Sequence, residues 1–306
     1  MPLLHANGIE LHYHVQGKGI PIVFLHPPTM GSRLFTYLRN DLARDHRTLL
    51  FDFRGHGRSA SSASPITFPL LIEDTCRLMD ALDIESAYLC GYSMGTMVAL
   101  EALLTHPERF RGAALLSGMP SVSGPSAKFL ARSGLAAASL RAKQLMALAE
   151  SLSHADNPEA FQRLRAESVS GDPTKWREYI AAGLAYSATD RLQAIRQPIL
   201  LLYGQKDQNM LPYARMLQSG LPNAASAWIP GTGHRLPISA ADMTGRLIRG
   251  WIDFLEKRDE PREEAGFGRR VAPEERAPST EERSFGSASF ADPDASGSRP
   301  EPGAYR

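Results

Sequence analysis

The segment Cys90-Gly91-Tyr92-Ser93-Met94-Gly95-Thr96 constrains this chain more than any other. An apolar run, Ala87-Tyr88-Leu89-Cys90, precedes it, and a segment of helical character from Met97 to Leu104 follows. Strand, tight turn and helix in that order, with Gly-x-Ser-x-Gly at the turn, is a much narrower pattern than the five letters alone, which arise by chance. The demand is for space. A serine at the apex of a sharp turn needs neighbours without Cβ atoms, so that strand and helix can close on one another. Its hydroxyl then stands clear of the sheet at the positive end of a helix, where developing negative charge is stabilised. The bland alternative is an ordinary glycine-rich strand-to-helix turn.

The remaining chain supplies a sheet to carry such a turn. Asn7-Gly8 is a two-residue hairpin signal. After it, Ile9, Leu11, Tyr13 and Val15 alternate with Glu10, His12, His14 and Gln16, which reads as a half-buried strand. His12 and His14 share a face. With no third ligand nearby, a solvated strand face is expected there rather than a metal site. Residues 21–25, 48–52, 112–118 and 198–204 are near-continuous apolar runs, as in strands buried on both faces of a mostly parallel sheet. Residues 225–229 make a further strand. Helical spacing at Leu71, Thr75, Leu78 and Met79 marks a helix over 69–82. This alternation predicts an α/β fold with a doubly wound, mostly parallel sheet.

Residues 121–190 break the alternation and read as helices. Leu145, Leu148, Ala149 and Leu152 form one stripe, and Trp176, Tyr179, Ile180, Gly183 and Leu184 another. Asn157-Pro158-Glu159 and Asp172-Pro173 are helix starts with proline in the first position. A last helix carries Met243, Leu247, Ile248, Trp251, Ile252 and Leu255. From residue 258 the composition shifts to Arg, Asp, Glu, Pro, Ser and Gly, with Phe267, Val271, Phe285, Phe290 and Tyr305 as the large apolar residues. Such a segment cannot bury enough surface to offset ordering entropy, so it is expected to be disordered. The expected division is a core over 1–120, a helical insertion over 121–190, the core again over 191–257, and a tail over 258–306.

Composition excludes several classes. A hydrophobic content of 43% in 306 residues supports a sizeable core, and a net charge of +1 gives no sign of a nucleic-acid partner. Neither a signal peptide nor a membrane span is expected. Two cysteines, Cys76 and Cys90, make no disulfide framework, which suits a reducing cytoplasm. No metal cluster, dinucleotide turn or cofactor lysine stands out, so no cofactor is expected. Nothing in the sequence fixes the oligomeric state.

Chemistry-bearing residues recur where strands end. Ser93, Asp207 and His234 each follow a strand on a glycine-containing loop, and in open α/β sheets sites gather at the carboxyl ends of strands. His234 would take the serine proton, and Asp207 would hold the imidazole tautomer and stabilise its charge.

Over roughly residues 3 to 257 the chain resembles the α/β-hydrolase superfamily. The likeness rests on His26-Pro27-Pro28, the run Asp52-Phe53-Arg54-Gly55-His56-Gly57-Arg58-Ser59, the Ser93 turn, and Asp207 with His234. It implies that fold, with 121–190 as a helical cap over the active site, and the order Ser, Asp, His matches the superfamily's. Some relatives hold the triad acid after the strand at 112–118. Ser117-Gly118-Met119-Pro120 offers none, so this chain either holds the acid later, where Asp207 stands, or lacks it. In the family a strand ending in His-Gly carries the loop that completes the oxyanion hole. Pro27 and Pro28 stand at the matching place, and proline has no N–H. Either Thr29 or Met30 then supplies that donor beside the Met94 N–H, or half of the hole is missing. His26, Pro28, Tyr92, Trp176 and Tyr179 are candidates for the substrate pocket, with plain packing the competing account of Trp176 and Tyr179. His56 is expected to pack within its turn.

The resemblance implies hydrolysis of a small carboxylic ester through an acyl-serine. Alternatives are a lactone, β-diketone or thioester substrate, or a small-molecule receptor or signalling protein on the same fold. A serine nucleophile sets the chain apart from dehalogenase and epoxide-hydrolase relatives, which use aspartate.

Overall fold

A computed structural model of the protein describes residues 2–259. Its elements, in chain order, are β1 (Leu3–Ala6), β2 (Ile9–Gln16), β3 (Pro21–Leu25), α1 (Thr36–Leu42), β4 (Arg47–Phe51), α2 (Phe68–Ala81), β5 (Ala87–Tyr92), α3 (Gly95–Thr105) and β6 (Phe110–Leu116). Four helices follow: α4 (Pro125–Ser139), α5 (Lys143–His154), α6 (Pro158–Ser170) and α7 (Pro173–Ala185). The chain then returns to β7 (Ile199–Gly204), α8 (Leu211–Gly220), β8 (Ala224–Ile229), α9 (Leu236–Ser239) and α10 (Ala241–Asp259).

The eight strands form one sheet in the order β1-β2-β4-β3-β5-β6-β7-β8. The β1–β2 and β2–β4 pairings are antiparallel and the others parallel, giving a mostly parallel α/β-hydrolase sheet. Strand alternation divides the core into two layers. Val23, Leu25, Leu89, Ala113 and Leu201 face one side, packed with residues of α2, α3 and α8. Ile22, Phe24, Cys90, Ala114 and Leu202 face the other, with α1 and α10. Every residue of β5 and β7 is buried, as continuous apolar strands between two helical layers must be.

Local chemistry sets the boundaries. Asn7 and Gly8 both take positive φ, 49° and 77°, as a two-residue hairpin turn between Ala6 and Ile9 requires. Asn157 and Asp172 cap α6 and α7 by accepting hydrogen bonds from Ala160 N and Thr174 N, with proline in the first turn of each. α10 runs to Asp259, two residues into the segment expected to be disordered, and the remainder of that segment lies outside the described residues. Among the described residues no helix is long and apolar enough to cross a membrane.

Two expectations fail here. His12 is not on a solvated face: it is 1% exposed, and its Nδ1 lies 2.8 Å from Asp52 Oδ2. Alternation along β2 reports one strand only, whereas the loop after β4 folds over it and delivers Asp52 and Ser59 to His12. In α5 the supposed apolar stripe is partly outward, with Leu145 66% and Leu152 64% exposed. The buried face is Met146, Ala147 and Ser151.

Arg54, at the turn after β4, is buried and ion-paired with Asp74 of α2, its Nε donating to Oδ2 at 2.6 Å. Asn7 Nδ2 donates to the same carboxylate at 2.7 Å. Removing one member leaves a buried charge uncompensated. Asp74→Ala is therefore expected to lower unfolding free energy by about 3–5 kcal/mol, read from the urea midpoint at constant slope. A loss below about 1 kcal/mol, the range of exposed pairs, would show that solvent reaches Arg54.

Candidate active site

Ser93 sits between the end of β5 and the start of α3 with φ of 52°, in the left-handed region. For a residue with a Cβ this costs roughly 1–3 kcal/mol and persists only where surroundings impose it. They do. Ser93 N donates to Leu116 O at 2.9 Å, and Ser93 O accepts from Thr96 N at 3.0 Å and Thr96 Oγ1 at 2.6 Å. A Cβ at Gly95 would lie 2.2 Å from Leu25 O, and one at Gly91 would lie 3.0 Å from Gly95 O. The two glycines let helix and strands close to that distance.

Two loops bring Asp207 and His234 to the serine. Lys206 N donates to Thr232 O at 2.8 Å and Gln205 N to Ile229 O at 3.0 Å, tying together the loops after β7 and β8. His234 Nδ1 lies 2.7 Å from Asp207 Oδ2, and its Nε2 lies 3.1 Å from Ser93 Oγ. With Nδ1–H donating to the carboxylate, Nε2 accepts from the serine hydroxyl, the tautomer that can receive its proton. The His234 side chain is 33% exposed and that of Asp207 7%, so solvent reaches the imidazole but hardly the carboxylate.

The loop after β3 is pinned from below. His26 is fully buried, with Nδ1 donating to Pro27 O at 2.8 Å and Nε2 accepting from Phe53 N at 2.9 Å. Burial lowers its pKa, so it is a neutral strut with no exposed surface rather than a pocket wall. Thr29 has φ of 70° and is buried. The backbone N–H groups of Thr29, Met30 and Met94 donate to no protein acceptor among the described residues. Met30's side chain belongs to the core layer with α1. Beneath the loop, Asp52 accepts from Ser32 N at 2.7 Å, Arg58 N at 3.0 Å and His12 Nδ1 at 2.8 Å. Burial alone would raise its pKa; these hydrogen bonds outweigh burial and hold it at about 2.

Helices α5–α7 reach the same loop. Ser168 Oγ donates to Thr29 O at 2.7 Å, Arg33 N to Glu167 Oε1 at 3.1 Å, and Tyr179 OH to His26 O at 3.0 Å. Tyr179 is fully buried against Phe53, His56 and Phe68. Trp176 is equally buried, in a small core of the insertion with Ala138, Met146 and Ile180. Both are packing residues, not pocket walls, because the helix turns that face inward. Pro28 is half-buried beside Thr29. His56, buried too, has Nδ1 donating to Arg54 O at 3.1 Å, and burial pushes its pKa down to about 3.

Sequence reasoning missed three residues. Glu150 hydrogen-bonds the Thr29 side chain; burial raises its pKa, and Thr29 and the nearby His234 act against that shift. His154 Nε2 accepts from Tyr92 OH at 3.1 Å while Nδ1 donates to Glu150 O at 3.0 Å, and burial pushes its pKa down to about 4. The Tyr92 ring in turn lies 5.2 Å from that of His234. Gly183 of α7 is the third: a Cβ there would meet Met94 Sδ at 2.4 Å. The available signal was the i, i+4 spacing of Glu150 and His154, which puts both on one face of α5.

Sheet order, serine turn and loop positions define an α/β enzyme of the hydrolase type. The chain belongs to the alpha/beta hydrolase fold family, whose model matches residues 20–241, and it is a hydrolase of that family. Among curated proteins it is similar to "Putative carbamate hydrolase RutD" of Azorhizobium caulinodans, at 26% identity over 266 residues, 84% of this chain and 100% of that one. It is also similar to the pimeloyl-[acyl-carrier protein] methyl ester esterase of Stenotrophomonas maltophilia, at 26% identity over 241 residues, 76% of this chain and 81% of that one. Among solved structures, the enol-lactonase from Burkholderia xenovorans LB400 superposes with a TM-score of 0.73 at 25% identity, covering 83% of this chain and 100% of that one.

The Asp52 carboxylate generates a pH-dependent prediction. Its pKa in the fold, about 2, is below the ordinary 3.8. A depressed carboxylate contributes stability that is complete above its ordinary pKa and is lost as pH falls through the folded value. Asp52→Asn should therefore cost on the order of 2 kcal/mol at pH 7, with the deficit narrowing between about pH 4 and pH 2. Unfolding curves of both proteins across that range check this. A deficit constant with pH would assign the loss to packing instead.

Proposed function

We propose that the protein hydrolyses a small carboxylic ester through an acyl-serine intermediate. The observation that carries this reading is the chain of contacts from Asp207 Oδ2 through His234 to Ser93 Oγ, at 2.7 and 3.1 Å, on a serine held at positive φ. Ser93 Oγ attacks the ester carbonyl carbon as His234 Nε2 takes its proton. The carbonyl oxygen becomes an oxyanion, received by the Met94 N–H and by that of Thr29 or Met30. Collapse expels the alcohol, which leaves with the proton from His234. Water, deprotonated by His234, then attacks the acyl-serine and releases the carboxylic acid. Asp207 keeps the imidazole in its tautomer and stabilises the imidazolium.

The insertion, α4–α7, acts as the cap, and Met94 against Gly183 is where it meets the nucleophile's neighbour. Buried free thiols at Cys76 and Cys90 support a cytoplasmic setting. A lactone is the second reading, favoured by the likeness to an enol-lactonase. It is a cyclic ester and follows the same steps, its alcohol remaining tethered to the acyl group.

Ser93→Ala should abolish turnover of short p-nitrophenyl esters, a loss of roughly 10⁶-fold in kcat, with the melting temperature kept. A fluorophosphonate probe should label wild type and not the variant. Labelling that survives in Ser93→Ala, or a folded wild type inert to every ester and lactone of a panel, would overturn the reading and favour a receptor.

The Thr29 N–H is tested by replacing its backbone amide with an ester through chemical ligation. Thr29→Pro cannot serve, since proline's φ near −65° is incompatible with 70°. If Thr29 donates, kcat falls by about 10²–10³ with KM unchanged. Full activity would rule out Thr29 and leave Met30, and full activity after the same replacement at Met30 would show that this loop does not form the hole.

A further inference from the structure

A cavity of about 220 Å³ lies apart from Ser93, walled by Arg33, Arg39, Arg163, Ser32, Thr36 and His14. We propose that it binds a phosphate group, either free phosphate or a phosphate monoester. Its volume is several times a water molecule's share of about 30 Å³. The three arginines come from separate elements: the turn after the Thr29 loop, α1 and α6. Folding that gathers three guanidinium groups about one space works against their mutual repulsion. The consequence is visible on Arg39, whose pKa is pushed down by burial and then by the charge of Arg163.

Among the described residues neither Arg39 nor Arg163 is ion-paired to a buried carboxylate. Glu159 stands 3.6 Å from Arg163 but is 88% exposed, where such a pair contributes little. Glu167 lies 4.0 Å from Arg33 Nε, buried beside Asp52. Burial and then Asp52 push its pKa well up, while the backbone N–H and the charge of Arg33 act against that shift, so Glu167 is Arg33's own partner. Arg39 donates to Asn40 Oδ1, a neutral acceptor, at 2.8 Å. His14 is held below its ordinary pKa by burial and then by His12, so at neutral pH it adds a hydrogen-bonding nitrogen rather than a charge.

Two polar atoms at this place lack partners. Ser32 Oγ and Arg163 Nε are buried without a hydrogen bond. Ser32 as a whole is 1% exposed, and its backbone N–H is already committed to Asp52. A phosphate dianion suits the set better than a carboxylate. Its tetrahedral oxygens can take parallel N–H pairs from several guanidinium forks at once, whereas a planar carboxylate matches one fork.

The test is calorimetric titration of the full chain, at constant ionic strength, with inorganic phosphate, phenyl phosphate and acetate. Wild type is compared with Arg39→Gln, Arg163→Gln and the charge-keeping Arg39→Lys. Saturable binding of phosphate or phenyl phosphate is expected, weakened about tenfold or more in each Gln variant and less in Arg39→Lys. Tighter binding of phenyl phosphate assigns the site to a monoester, and of inorganic phosphate to the free ion. No saturable heat, acetate binding as tight as phosphate, or affinity unchanged in both Gln variants overturns the proposal. Circular dichroism melts confirm that the variants compared are folded. Binding is read without ester turnover, so the outcome is independent of the hydrolase reading.

Discussion

The structure depends on a close approach: α3 starts so near β3 that a Cβ on Gly95 would overlap the carbonyl of Leu25. That approach leaves the connecting residue one way round, and Ser93 takes the left-handed backbone that an L-residue avoids. The strain is held because β5, which delivers it, is paired on both sides by β3 and β6 and buried throughout. Thr29 and Ser117 share the positive φ of Ser93. Ser117 N is held by Leu202 O, and its Oγ donates to His234 O at 3.2 Å. These three strained residues thus lie at the carboxyl edge of the sheet, where surrounding strands can impose them.

Much of this was legible in the sequence because it is local. The Asn7-Gly8 turn, the apolar strands, the proline-led starts of α6 and α7 and the helical character of 121–190 each depend on neighbours a few residues away. Ser93, Asp207 and His234 were legible for a different reason: a parallel sheet sends the ends of its strands to one edge, so strand ends in the sequence become neighbours in space. What escaped depends on contacts between distant segments. No pattern within β2 reports that Asp52 will reach His12, and Trp176 and Tyr179 form the stripe expected of them while its direction follows from how α7 lies. The polar face of α5 was hidden by apolar residues on its outer side, where Leu145 and Leu152 remain exposed.

The loop from His26 to Arg33 shows how a departure from the family pattern is accommodated. With prolines at 27 and 28 the loop has lost two N–H groups and gained stiffness. It is held instead by the insertion: Tyr179 on the His26 carbonyl, Glu150 and Ser168 on Thr29, and Glu167 on the Arg33 N–H. From below, Asp52 takes Ser32 N, and its low pKa keeps that acceptor ionised at any physiological pH. Loop position is therefore set jointly by the sheet and by α5–α7.

That joint control bears on the proposed hydrolysis. Catalysis gains only from donors already aimed at the oxyanion before it forms. Here the segment that offers the Thr29 and Met30 N–H groups is clamped by the same helices that would cover the substrate. A substrate that displaces α5 or α6 loosens Thr29 as well, through Glu150 and Ser168, and so loses transition-state stabilisation along with binding. A substrate that fits beneath them leaves the donors in place. Selection between esters then falls on kcat as well as on KM, because shape and charge stabilisation are read by one set of contacts.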